Sequence, residues 1–151
     1  MAIMIVGLAV GGMLQLLAAG TQSNLSGNEM TTAINLAKNI REVASGLAFQ
    51  DPTNPTSPST SEGSVAAAND IWDLNGLNLT PPVDCRGNPI NSYQNWTQNI
   101  LVQTVSPGQL KSTRPNDPTV PTAKITVTIL HQNQTVYSTS WLVCAPDSSG
   151  S

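Results

Sequence analysis

From Met1 to Ala19 the chain reads MAIMIVGLAVGGMLQLLAA, an apolar run with no charged side chain and Gln15 as its one strongly polar one. As a helix rising 1.5 Å per residue it would span roughly 28 Å, about the thickness of a bilayer's hydrocarbon core. A polar bridge from Gly20 to Met30 follows, with no basic stop and no Pro/Gly linker. Between Thr31 and Phe49, Ala33, Leu36, Ala37, Ile40, Val43, Ala44, Leu47 and Ala48 recur at spacings of three and four. That is the stripe of a one-sided helix, with Lys38, Asn39, Arg41, Glu42 and Ser45 on the other face. Asp51-Pro52 ends it, because proline disfavours helical geometry in the residue before it. The pattern predicts one long helix, apolar in its first half and amphipathic in its second.

Asp51 to Ser64 (DPTNPTSPSTSEGS) contains no apolar side chain beyond its prolines, so it has nothing to bury and reads as a surface loop. Ser64 is placed to cap a short helix over Val65 to Leu74. Asn75-Gly76 and Cys85 to Pro89 are turn signals, and Thr80-Pro81-Pro82 is extended or turning. Gln98 to Val105 is rich in β-formers and stops at Pro107-Gly108; Lys111 to Pro121, with three prolines, reads as a loop. Lys124 to Leu130 alternates cleanly, with Ile125, Val127 and Ile129 on one face. Gln132 to Gln134 is a hairpin turn, and Thr135 to Cys144 returns as the last strand. The predicted fold class is α+β: a long N-terminal helix packed on a small antiparallel sheet, a three-stranded meander.

Composition narrows the function. Only 10% of residues are charged and the net charge is −3, so no general basic field exists to attract nucleic acid. Lys111, Arg114 and Lys124 form the only loose basic grouping. With two cysteines, Cys85 and Cys144, and a single histidine, no ordinary zinc set can be built. In an exported protein, pairing by count predicts a Cys85–Cys144 disulfide, worth ~4 kcal/mol on the chain-entropy model for a loop of about 60 residues. Two unrelated buried thiols are the alternative.

Candidate chemistry is sparse. His131 stands at a strand end with no nucleophile at a telling spacing, which weighs against catalysis. Asp70, Asp73 and Asp84, with Asn69 and Asn75, could gather oxygen ligands for calcium near Asn75-Gly76. Capping and turn chemistry accounts for the same residues. Trp72, Trp96 and Trp141 are core residues, because one phenylalanine leaves them the largest apolar groups. Sequons at Asn24, Asn78, Asn95 and Asn133 are expected by chance in an Asn/Thr-rich chain. Gly7 and Gly11 form a GxxxG with Gly12 adjacent, a spacing that lets a second helix approach closely.

A half-apolar N-terminal helix, then helix, loop and antiparallel strands with cysteines in the C-terminal half, resembles the type IV pilin superfamily. MAIMIVGLAVGGMLQLLAAG looks like the interior of a pilin N-terminal segment. NDIWDLNGLNLTPPVDCRGNPI, KITVTIL and the final SWLVC are similar to heads of minor-pilin type. The family's basic leader, its glycine and the glutamate that follows are not present; no acidic residue precedes Glu29. The true start is therefore expected upstream of Met1, or the chain is a divergent member.

The resemblance implies a non-enzymatic structural subunit, a minor pilin or pseudopilin of a type IV pilus or type II secretion-like filament. Its partners would be other pilin-like subunits through the N-terminal helix, and the inner membrane before assembly. Localisation would be single-pass in the inner membrane with an external head. The expected organisation is an apolar segment 1–19, helix continuation 20–50, loop 51–64, β-rich head 65–144 and polar tail 145–151. No cofactor is expected beyond the calcium candidates. The alternative is a singly anchored or secreted binding domain acting alone.

Overall fold

A computed structural model describes residues 2–54, 63–106, 108–114, 117 and 120–146; ahead of Ser26 its side chains are described only at Gln15, Gly20 and Thr21, and those of Leu110 and Lys111 are not described. The chain divides into two compact units, Met1–Thr32 and Ala33–Ser151. Helix α1 (Ala2–Ser45) supplies the first and opens the second. In the first unit Gln15, Gly20, Thr21, Ser26, Gly27, Asn28, Met30 and Thr31 are exposed.

The second unit is mostly β. Here α1 buries Ala33, Leu36, Ala37, Ile40 and Ala44, the stripe that the three-and-four spacing dictates. It stops at Ser45, where the Gly46 amide closes a tight turn on the Val43 carbonyl at 3.0 Å. Leu47 and Ala48, expected as helix, are drawn off it. Ala48 forms a parallel bridge with Asp70, and the Ile71 amide donates to the Ala48 carbonyl at 2.9 Å. The bridge carries Phe49 edge-on against Trp72, with ring centroids 6.1 Å apart. The helix expected over Val65 to Leu74 is replaced by a turn, with the Ser64 hydroxyl accepting from the Ala67 amide at 3.3 Å, and then a short 3₁₀ turn at Ile71–Leu74.

The strands are β1 (Asn78–Leu79), β2 (Trp96–Ser106), β3 (Gln109–Arg114), β4 (Thr122–His131) and β5 (Gln134–Cys144). All pair antiparallel in the order β1-β2-β4-β5, with β3 also on β2. Since β4 runs the length of one edge of β2, β1 and β3 share the other: β1 at Gln98 and Asn99, β3 from Thr104 to Ser106. Gln132 and Asn133 have φ of 50° and 64°, the two-residue turn with both central residues left-handed that suits the twist of a hairpin. Asn75 and Gly76 bind the sheet as well as turning. The Asn75 Oδ1 accepts from the Val102 amide at 2.9 Å, and the Gly76 amide donates to the Ile100 carbonyl at 2.9 Å.

Strand alternation sorts the faces. Trp96, Gln98, Ile100, Val102, Ile125, Val127 and Ile129 are buried, and all but Gln98 join one apolar cluster with the buried α1 residues. Gln98 is the polar member of that face and is fully buried. Its Nε2 donates to the Leu36 carbonyl at 2.9 Å and to the Val83 carbonyl at 3.2 Å, and its Oε1 accepts from the Val83 amide at 2.7 Å. The Asn39 Nδ2 also donates to the Val83 carbonyl, at 3.2 Å. One side chain thus joins sheet, helix and the loop after β1.

Two expectations need correction. The fold is not a long pilin-like helix packed on a small sheet. The part of α1 buried against the sheet is short, from Ala33 to Ala44, and the sheet is the larger element, with five strands. The physical reason is reach: an 11-residue strand such as β2 runs roughly 35 Å, whereas Ala33 to Ala44 rises only roughly 17 Å along the helix axis, so the sheet and not the helix sets the size of the unit. Second, among the described residues no helix is long and apolar enough to cross a membrane, which overturns the transmembrane and single-pass inner-membrane reading. The side chains of 1–14 and 16–19, and so the surroundings of Gly7, Gly11 and Gly12, lie outside the described residues, as do 55–62 of the loop and 147–151 of the tail.

Replacing Gln98 by leucine or alanine strands the buried Val83 amide and removes a bond from two carbonyls. Either change should cost about 2–3 kcal/mol in urea unfolding. A loss below about 0.5 kcal/mol, the range of ordinary surface substitutions, would show that the loop does not depend on this contact.

Candidate functional site

Among the described residues, a concave feature lies between α1 and β5. Helical spacing brings Ile34, Ala37, Lys38 and Arg41 to one face, and strand alternation brings Tyr137, Thr139 and Trp141 to another. Together they line a cleft of about 120 Å³. The Arg41 guanidinium carbon stands 5.8 Å from the centre of the Trp141 ring, within cation–π range. A shallower recess of about 240 Å³ adjoins it, edged by Lys38, Arg41, Glu42 and Ser45. The cleft's floor is aliphatic and aromatic, while its rim has two exposed cations. The two cations at its rim suit a carboxylate.

The residues singled out from the sequence are dispersed. Asp70 caps the 3₁₀ turn, its Oδ1 accepting from the amides of Trp72 and Asp73 at 2.7 and 3.3 Å. Asp73 reciprocates, its Oδ2 accepting from the amides of Asn69 and Asp70 at 2.9 and 3.2 Å. Both carboxylates are buried in this capping box. Asp84 folds into its own turn instead, accepting at Oδ1 from the amides of Arg86 and Asn88 at 2.8 and 2.9 Å. Gly87, in that turn, has φ +79°, and a Cβ there would lie 3.2 Å from Val65 Cγ1. Among the described residues no group of three His, Cys, Asp or Glu side chains is placed to hold a metal ion.

His131 stacks on Trp96, with centroids 4.4 Å apart and planes 12° from parallel. Trp72 and Trp96 are buried as expected, whereas Trp141 is half-buried and walls the cleft. Cys85 and Cys144 are free, exposed thiols. The turn bearing Cys85 is tied to Gln98 through Val83, while Cys144 pairs with Thr122, next to the Ala123 that faces Thr104. Six strand residues separate Gln98 from Thr104, roughly 20 Å, and a disulfide needs Cα atoms within about 7 Å. The structure holds Cys85 and Cys144 as two thiols, where the count of cysteines leads to the expectation of a bridge.

The cleft was not foreseen. Lys38 and Arg41 on the polar helix face, and Tyr137, Thr139 and Trp141 at alternate positions, were each visible. Their meeting across about a hundred residues was not, because nothing in either pattern sets the register of helix on strand.

Hydrogen bonds from the amides of Asn88 and then Arg86 hold the Asp84 carboxyl below its ordinary 3.8. A depressed carboxyl contributes stability above its unfolded pKa and loses it as pH falls through the folded value. The Arg86 and Asn88 amide resonances should therefore titrate together with a midpoint below 3.8, and Asp84→Ala should abolish that titration. Midpoints at or above 3.8 would contradict the turn geometry. Both cysteines should react with a thiol reagent in the native, unreduced protein; a single protected disulfide would contradict the separation across the sheet. Comparison with protein-family models, with curated proteins and with solved structures finds no match to this chain.

Proposed function

We propose that the chain is a non-enzymatic structural subunit that joins other subunits through the apolar start of α1 in an assembly held together by helix packing, such as a filament. The observation that carries the reading is the apolar run that opens α1, ahead in sequence of the residues that the β-rich unit buries from Ala33 on. The run from Met1 to Ala19 has no charged side chain, so removal of its apolar surface from water is available to drive association. The GxxxG of Gly7 and Gly11 suits close helix approach. The reading needs neither a membrane-spanning stage nor a pilin-like fold. The cleft between α1 and β5 favours the second reading, a binding domain that acts alone.

Light scattering of the full chain after chromatography distinguishes the two. A structural subunit should elute as a multi-subunit species, and replacing Gly7, Gly11 and Gly12 together by leucine should shift it toward monomer. The melting of the β-rich unit should stay unchanged, because those glycines lie outside Ala33–Ser151. A monodisperse monomer, or a triple variant that assembles like the parent, would overturn the proposal.

A further inference from the structure

β5 has an open edge. It pairs with β4 alone, and among the described residues no other strand joins it. Natural sheets blunt such edges with lysine, proline or bulges, because unpaired amides and carbonyls are a template for another chain. The opposite edge of this sheet follows that practice. β1 is two residues long, and β3 carries Lys111 and Arg114. β5 does not. It reads QTVYSTSWLVC, eleven residues with no charge, proline or glycine. Its single register irregularity, opposite Ile129 and Leu130, lies before Tyr137, so Tyr137 to Cys144 is regular.

The cleft described above runs along this same edge, and its rim supplies a second, independent feature. Of six Lys and Arg in a chain of net charge −3, two stand here, three residues apart on one exposed helix face.

We propose that β5 accepts an extended segment of a partner polypeptide as an additional strand, and that this segment bears a carboxylate that meets Lys38 and Arg41. A strand added to β5 would lie about 4.8 Å beyond it, with alternate side chains turned to the helix side. Those side chains meet Ile34, Ala37, Tyr137 and Trp141 at the floor of the cleft and the two cations at its rim. Main-chain pairing supplies affinity without regard to sequence, and the cations and the cleft select the side chains. A second copy of β5 is a poorer occupant, since the strand has no carboxylate to offer.

The probe is a phage-displayed library of random nonapeptides, panned on the immobilised full chain. Enriched peptides should alternate β-branched residues and contain an aspartate or glutamate. Bound as synthetic peptides, they should slow amide exchange from Tyr137 to Val143. The double variant K38E/R41E should weaken them about tenfold or more. Exchanging the peptide's acidic residue for lysine should restore binding to that variant, which a misfolded protein could not do. Three results would overturn the proposal: no enrichment over bare support, enriched peptides that bind the double variant as well as the parent, or protection of β5 arising from self-association of the chain without peptide.

Discussion

The amide of Gln98 is the contact on which the rest of the β-rich unit depends. A buried primary amide is costly unless its donors and acceptor are all met, and here one side chain reaches the Leu36 carbonyl, the Val83 carbonyl and the Val83 amide. Apolar packing between α1 and the sheet has little directional preference and would tolerate slippage along the helix. The bond to Leu36 fixes the axial position of the helix, and with it which residues overhang β5. The cleft, with Arg41 over Trp141, is a consequence of that setting.

This also explains what could be read from the residues alone. β4 and the return strand were legible because Ile125, Val127 and Ile129 alternate with polar neighbours between clear turn signals, and the Gln132–Asn133 reversal sits where the alternation breaks. The buried stripe of α1 from Ala33 to Ala44 was legible for the same reason at helical period. β3 was not. Its Lys, Ser, Thr and Arg carry no apolar pattern, and the prolines around it read as loop; it exists because the end of β2 offers partners from Thr104 to Ser106. Leu47 and Ala48 continued the helical stripe in sequence, but the bridge to Asp70 and the burial of Phe49 outweighed local propensity.

The cysteines and the aspartates show the limits of counting residues. Two cysteines in a chain invite pairing, yet their partners in the fold are set by Val83 at Gln98 and by Thr122 at Cys144, toward opposite ends of the sheet. Asp70, Asp73 and Asp84 cluster in sequence and spend their oxygens on separate backbone amides. In both cases backbone demand, local in sequence and strong when buried, decides where the side chain goes.

The Asn75-Gly76 pair has a consequence for the chemical lifetime of the molecule. Asparagine followed by glycine is the dipeptide most prone to deamidation, which proceeds when the glycine's backbone nitrogen attacks the asparagine side-chain carbonyl to close a succinimide ring. Here both reacting groups are engaged elsewhere: the Gly76 nitrogen donates to Ile100 and the Asn75 side-chain oxygen accepts from Val102. Ring closure therefore requires this turn to come away from β2 first. Ageing at Asn75 is tied to local opening of the sheet, and the negative charge it would introduce would accumulate as a record of how often that edge of the protein comes apart.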